Sequence, residues 1–151
     1  MAENTASIPG DGNTPVTFTH SSDVGRFVAA IVDIDKWDRI SVIVGDKMAL
    51  NEAVKLAEAV KGKRHCLGTK FNVIYDDIDD LKKGRLTELP SQAALYGALP
   101  AGFLQALGSR FGVWVARGDL DLDESTSLNK SLPDLDTIKL KDFLQKAWGL
   151  G

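Results

Sequence analysis

The side chains able to do chemistry in this chain are few and lie far apart. His20 stands between a short strand signal at Val16 and Phe18 and a helical apolar period that opens at Val24. In α/β folds the carboxyl ends of strands gather binding groups, and an imidazole exchanges protons near neutral pH. His20 is therefore the catalytic candidate, with a structural alternative in which the ring bonds Asp23 or the adjoining turn. His65 and Cys66 form a second pair with ligand chemistry, but zinc takes three or four ligands and Cys66 is the one cysteine present. No metal site is expected.

Two acidic runs invite the same question. Asp119-Leu120-Asp121-Leu122-Asp123-Glu124 begins like a calcium loop, yet its sixth position is Glu124 where glycine is required, and its twelfth is Lys130 where a carboxylate is required. Its alternating leucines fit an extended segment with one buried face. Asp76, Asp77, Asp79 and Asp80 crowd a helix start, where negative charge meets the positive end of the helix dipole. No serine sits in a Gly-x-Ser-x-Gly elbow. Neither tyrosine has a lysine four residues on, since Tyr75 is followed there by Asp79 and Tyr96 by Pro100.

The elements that must hold these groups follow from apolar spacing. Val16 and Phe18 open a strand. Val24, Phe27, Val28 and Ile31 predict one face of a helix, with Ser21 or Ser22 as its cap. The β-branched run Ile40–Val44 predicts a buried strand ended by Gly45, residues 49 to 61 a second helix, and Phe71–Tyr75 a third strand leading into a short helix that stops near Gly84. This alternation predicts parallel pairing through βαβ crossovers, in a sheet too narrow to cover its own edges. Phe103, Leu104, Leu107, Phe111, Trp114 and Val115 form a wide apolar stripe after Pro100, punctuated by Gly97, Gly102, Gly108 and Gly112. It reads either as close helix packing or as a mobile lid over a pocket. A last helix carries Leu140, Phe143, Leu144, Ala147 and Trp148.

The 151 residues, 44% hydrophobic and 26% charged, suit one globular domain or a large piece of one. A net charge of −3 with interspersed signs offers no broad basic footprint, so nucleic acid is not an expected partner. No apolar run approaches the length of a membrane span, and the first residues lack the parts of a signal peptide. With no internal disulfide available, a reducing compartment, the cytoplasm, is the expected location.

Gly10-Asp11-Gly12-Asn13, Thr19-His20 with Asp23-Val24-Gly25-Arg26-Phe27-Val28-Ala29, Val42–Asp46 ahead of Leu50-Asn51-Glu52, and the closing Phe143–Trp148 carry a resemblance. In that order they resemble the NmrA-like and isoflavone-reductase-like group of atypical short-chain dehydrogenases, its fungal members above all. The resemblance runs from about Ile8 to the end. It implies the carboxy-terminal part of a Rossmann-like NAD(P)-binding α/β fold: a short parallel sheet with helices, then a helical substrate-side region. Residues 1–7 are expected to be a flexible N-terminus and 8–151 a single domain without the dinucleotide-binding half. The implied activity is NAD(P)H-dependent reduction of a small aromatic or secondary-metabolite substrate, with Phe103, Leu107, Phe111 and Trp114 at the substrate pocket.

NADP(H) is the cofactor that the resemblance implies, yet none is expected to bind this chain tightly. The catalytic lysine of the group lies upstream of the matched residues. The turn Gly10–Pro15 puts proline where the third glycine of a dinucleotide fingerprint belongs, so it reads as a turn. The alternative is a non-catalytic regulatory module that docks on a full-length relative or a second copy. A third option is an independent binding or isomerase domain using the Phe103 to Trp114 stripe.

Overall fold

The computed structural model describes residues 4–62, 69–95, 99–100 and 102–149. In chain order the elements are β1 (Thr5–Pro9), β2 (Pro15–Phe18), α1 (Ser21–Ile31), β3 (Asp46–Ala49), α2 (Leu50–Gly62), β4 (Asn72–Asp76), α3 (Ile78–Lys82), α4 (Phe103–Arg117), α5 (Leu128–Ser131) and α6 (Leu140–Ala147). Strands β1 and β4 pair in parallel, from Thr5 against Asn72 to Pro9 against Asp76. Strands β2 and β3 pair antiparallel, from Pro15 against Ala49 to Phe18 against Asp46. The fold is α/β with a short parallel sheet. Ile8, Val16, Phe27, Val60, Leu81 and Val115 form the buried apolar core between strands and helices. His65, Cys66, Tyr96 and Gly97 lie outside the described residues.

Three expectations are corrected. Residues 5–7, expected in a flexible N-terminus, belong to β1, where Ile8 is almost wholly buried and the Ser7 hydroxyl donates to Asp76. A five-residue strand with one apolar anchor is weak by itself, and pairing with β4 decides it. The run Ile40–Val44 is not a sheet strand. Asn129 takes both the N–H and the C=O of Val44 at 2.9 Å, and Leu128 N–H donates to the Val42 carbonyl at 2.8 Å. These bonds divert the β-branched run, and the strand begins instead at Asp46. Gly45 marks the change: its N–H donates to the Phe18 carbonyl, and a Cβ there would lie 2.6 Å from the same oxygen. As a result β2, β3 and β4 are not one parallel set.

Helix α1 shows the third correction. Phe27 is buried as its spacing predicts, but Val24 and Val28 are about half exposed, and the other buried residue of the helix is Asp23. An unpaired carboxylate would not tolerate that position. Asp23 accepts from the Arg26 guanidinium at 3.2 Å and from Ile138 N–H at 2.8 Å. Asp46 likewise accepts from Leu140 N–H at 2.6 Å, and Lys139 donates to the Gly45 carbonyl at 2.6 Å. Together they clasp the segment entering α6, and α6 in turn packs on α2.

Helix α4 packs through its glycines. A Cβ on Gly112 would lie 3.1 Å from Leu81 Cδ1, and one on Gly108 would lie 2.5 Å from Leu86 Cδ2. The packing reading of the stripe thus holds for the side of α4 that meets α3 and β1.

Asp23→Ala should lower stability by about 1–3 kcal/mol, because a buried acceptor is lost from two donors. Thermal melts would measure the loss, and hydrogen exchange should quicken at Ile138–Phe143. The Glu58 carboxyl is held below its ordinary value of 4.5, first by the Phe71 N–H and then by Lys70. Its contribution is present above pH 4.5 and disappears as pH falls through the lowered folded value. Glu58→Gln should flatten that acid limb in melts recorded across pH.

Candidate functional site

Two hollows meet at the carboxyl end of β2. One, of about 350 Å³, is walled by Phe18, Thr19, His20, Ile138, Leu140 and Phe143. The other, of about 490 Å³, lies between the strands and α4, with Val16, Leu50, Leu86 and Phe111 among its apolar walls and Thr17, Thr87 and Gln92 as polar points. Phe18 and Thr19 belong to both. An apolar hollow with a few placed polar groups is the usual make-up of a small-molecule pocket.

His20 is where its sequence position predicts, after β2 and before α1. It also caps α1, replacing the expected Ser21 or Ser22. Its Nδ1 accepts from Ser22 N–H at 3.2 Å and lies 2.7 Å from the Ser22 hydroxyl. An Nδ1 that accepts assigns the neutral ring's proton to Nε2. The structural partner is Ser22, while the Asp23 carboxylate serves the clasp. The ring stands 5.5 Å from that of Phe143, so the clasp that fixes α6 also forms the apolar side of the pocket.

Of the four residues expected at a substrate pocket, Phe111 and Trp114 stay in contact, their ring centroids 6.3 Å apart. Phe111 faces the larger hollow, and Trp114 faces a separate cleft between α3 and α4. Phe103 and Leu107 are 45% and 53% exposed on the outer side of α4.

Asp76 carries no sequence signal beyond its place in an acidic run, yet it is 7% exposed. It accepts from the Ser7 hydroxyl, and from Thr87 N–H at 3.1 Å and Thr87 Oγ1 at 2.6 Å. It thereby fixes Thr87 at the rim of the larger hollow. The remaining acids of that run serve the helix: Asp77 accepts from Asp79 N–H at 2.8 Å, and Asp79 pairs with Lys82. In the other run Asp121 pairs with Lys47, and Asp123 accepts from Ser125 N–H.

The glycine-rich turn does not fit a dinucleotide. Gly10 and Gly12 hold φ of 65° and 72°, and Asp11 accepts from Asn13 N–H at 2.9 Å, as a turn requires. Asn51 fills its concavity: its amide donates to the Asp11 carbonyl and to Asn13 Oδ1, both at 2.9 Å, and its N–H donates to the Gly12 carbonyl. Tyr75 closes the set by donating to Asn51 Oδ1 at 3.0 Å. Three helix N-termini are equally occupied, α1 by His20, α2 by Glu52 bonding Ala49 N–H, and α3 by Asp77. The pyrophosphate of a dinucleotide needs free N–H groups at such a place.

No protein-family profile matches the chain. Oxidoreductase swnN of Metarhizium robertsii is 29% identical over 146 residues, 95% of this chain and 41% of its own length. Oxidoreductase swnN of Arthroderma benhamiae is 24% identical over 93% of this chain and 49% of its own length. Oxidoreductase BOA1 of Botryotinia fuckeliana is 38% identical over 55 residues. These curated relatives are named oxidoreductases. The chain spans about half the length of these two swnN relatives. The solved structure described as AtPrR2 in apo form superposes with a TM-score of 0.66 at 16% identity, over 96% of this chain and 44% of that one. That likeness shows a shared fold.

Gly12→Ala should destabilise the protein by about 1–3 kcal/mol, since a left-handed residue would gain a side chain. Its Cβ would also stand 2.6 Å from Asn51 Oδ1 and 2.7 Å from Ile8 Cγ2. Chemical denaturation of the variant measures the loss.

Proposed function

We propose that the chain is the substrate-side part of an NmrA-like, NAD(P)H-dependent reductase of small aromatic or secondary-metabolite compounds. The observation that supports this reading best is the match to named oxidoreductases along nearly the whole chain but only about half of theirs. The paired hollows at the end of β2 supply what such a part would contribute, an apolar bed with hydroxyls and one imidazole. His20 would donate from Nε2 to a substrate oxygen, while Phe143 and Phe111 bound the apolar walls.

NAD(P)H would supply the hydride, and the described residues of this chain offer no place for its pyrophosphate at the glycine-rich turn. Binding of the cofactor and the catalytic lysine of the group would fall to residues outside the matched region. The role left to this chain is to shape the substrate pocket and to hold a proton at His20.

A second reading, a non-catalytic module that docks on a full-length relative or a second copy, draws on the exposed row Phe103, Leu107 and Phe111 of α4. It predicts a concentration-dependent complex in sedimentation.

Two measurements test the leading reading. Titration of this chain with NADPH, followed by tryptophan fluorescence, should show no saturation below about 10 µM, a range that a site without a phosphate cradle does not reach. A chimera in which this chain replaces the matched segment of the Metarhizium relative should oxidise NADPH with an aromatic carbonyl substrate. His20→Ala in that chimera should lower kcat/KM by about 10²-fold, the usual loss of one preorganised hydrogen-bond donor to a developing oxyanion. Folded chimeras without turnover, or tight NADPH binding by the chain alone, would overturn it.

A further inference from the structure

We propose that the cleft between α3 and α4 binds a small organic phosphate carrying a flat ring, a ligand of mononucleotide size. This site is separate from the hollows beside His20, and the inference does not depend on the reductase reading.

The cleft encloses about 500 Å³, within the range of small-molecule pockets. Its walls carry Lys82, Lys83, Arg110 and Arg117, no acidic residue, and the indole of Trp114. Such a concentration of one sign stands out in a chain of net charge −3. Lys82 and Arg117 are partly neutralised, by Asp79 at 2.9 Å and Asp119 at 3.4 Å. Lys83 and Arg110 have no side-chain ion pair or hydrogen bond among the described residues. Arg110 and Lys83, the latter within the field of Asp79, raise the potential of the hollow and draw an anion into it.

Local structure explains the arrangement. Arg110, Trp114 and Arg117 lie four and three residues apart and so share one face of α4. Helix α3 ends at Lys82, with Lys83 as its cap, and Gly84 follows at φ 78°. A Cβ on Gly84 would meet nothing within 4 Å, which leaves the floor of the cleft open beside both lysines.

The chemistry of the walls selects the ligand. A guanidinium meets phosphate oxygens in a two-pronged geometry, and an ammonium adds a point charge. Trp114, 40% exposed, offers an aromatic face on which a flat ring can stack. The basic surface is confined to one cleft, so it suits a small phosphate better than a polymer that needs a continuous track.

Calorimetric titration of the intact chain with adenosine 5′-monophosphate, inorganic phosphate and adenosine tests the proposal. The monophosphate should saturate with a dissociation constant on the order of 0.1–1 mM and bind tighter than either fragment. Lys83→Gln with Arg110→Gln should weaken it about tenfold or more, and added salt should weaken it further. Trp114→Leu should weaken it about fivefold while leaving inorganic phosphate unchanged, the signature of stacking. Circular dichroism confirms folding of the variants, whose altered cations are exposed. Absence of saturation below about 5 mM, equal binding of adenosine, or an affinity untouched by the double substitution would overturn the proposal. Tighter binding of a single-stranded oligonucleotide than of the monophosphate would also overturn it.

Discussion

Carboxylates accepting backbone N–H groups from other segments of the chain are the constraint on which this structure depends. Asp23, with no exposed surface, receives Ile138 N–H from 115 residues away, and Asp46 receives Leu140 N–H from 94 residues away. Asp76 does the same for Thr87. A buried carboxylate without donors is costly, so Asp23 and Asp76 demand their partner segments as much as they hold them. The sheets are too small to impose this order. Each has two strands, and the parallel pair gains its cover from α4 and α2.

The candidate site inherits its shape from these clips. The Asp23 and Asp46 clasp brings Phe143 beside His20, and Asp76 sets Thr87 at the edge of the neighbouring hollow. Glycines let α4 approach Leu81, Leu86 and Pro9 closely enough to close that hollow on its far side. His20 spends one ring nitrogen, Nδ1, on capping α1. Structure and chemistry share a residue here because a helix cap fixes a ring without covering both of its nitrogens. None of the described helices is long and apolar enough to cross a membrane.

The turn Gly10–Asn13 shows how a motif's neighbours decide its meaning. Glycines with positive φ are common to phosphate cradles and to plain reversals. Here Asn51, from the start of α2, occupies the space that a phosphate would take, and its bonds to the turn replace those of a ligand. The relatives named oxidoreductases support a reductase-type function.

Much of the fold was legible in the residues. Local signals were sufficient for β2, for α2, α3, α4 and α6, for the turn with its Asp11 bond to Asn13, and for His20 after a strand and before a helix, because period, caps and positive-φ glycines act over a few residues. What only the tertiary structure decided was long-range: that Thr5–Pro9 is a strand, that Ile40–Val44 yields to Asn129, and that Asp23 rather than Val24 turns inward. Each of these turns on a bond or a neighbour many residues away, and a hydrogen-bond partner at that distance leaves no periodic mark in the chain that needs it.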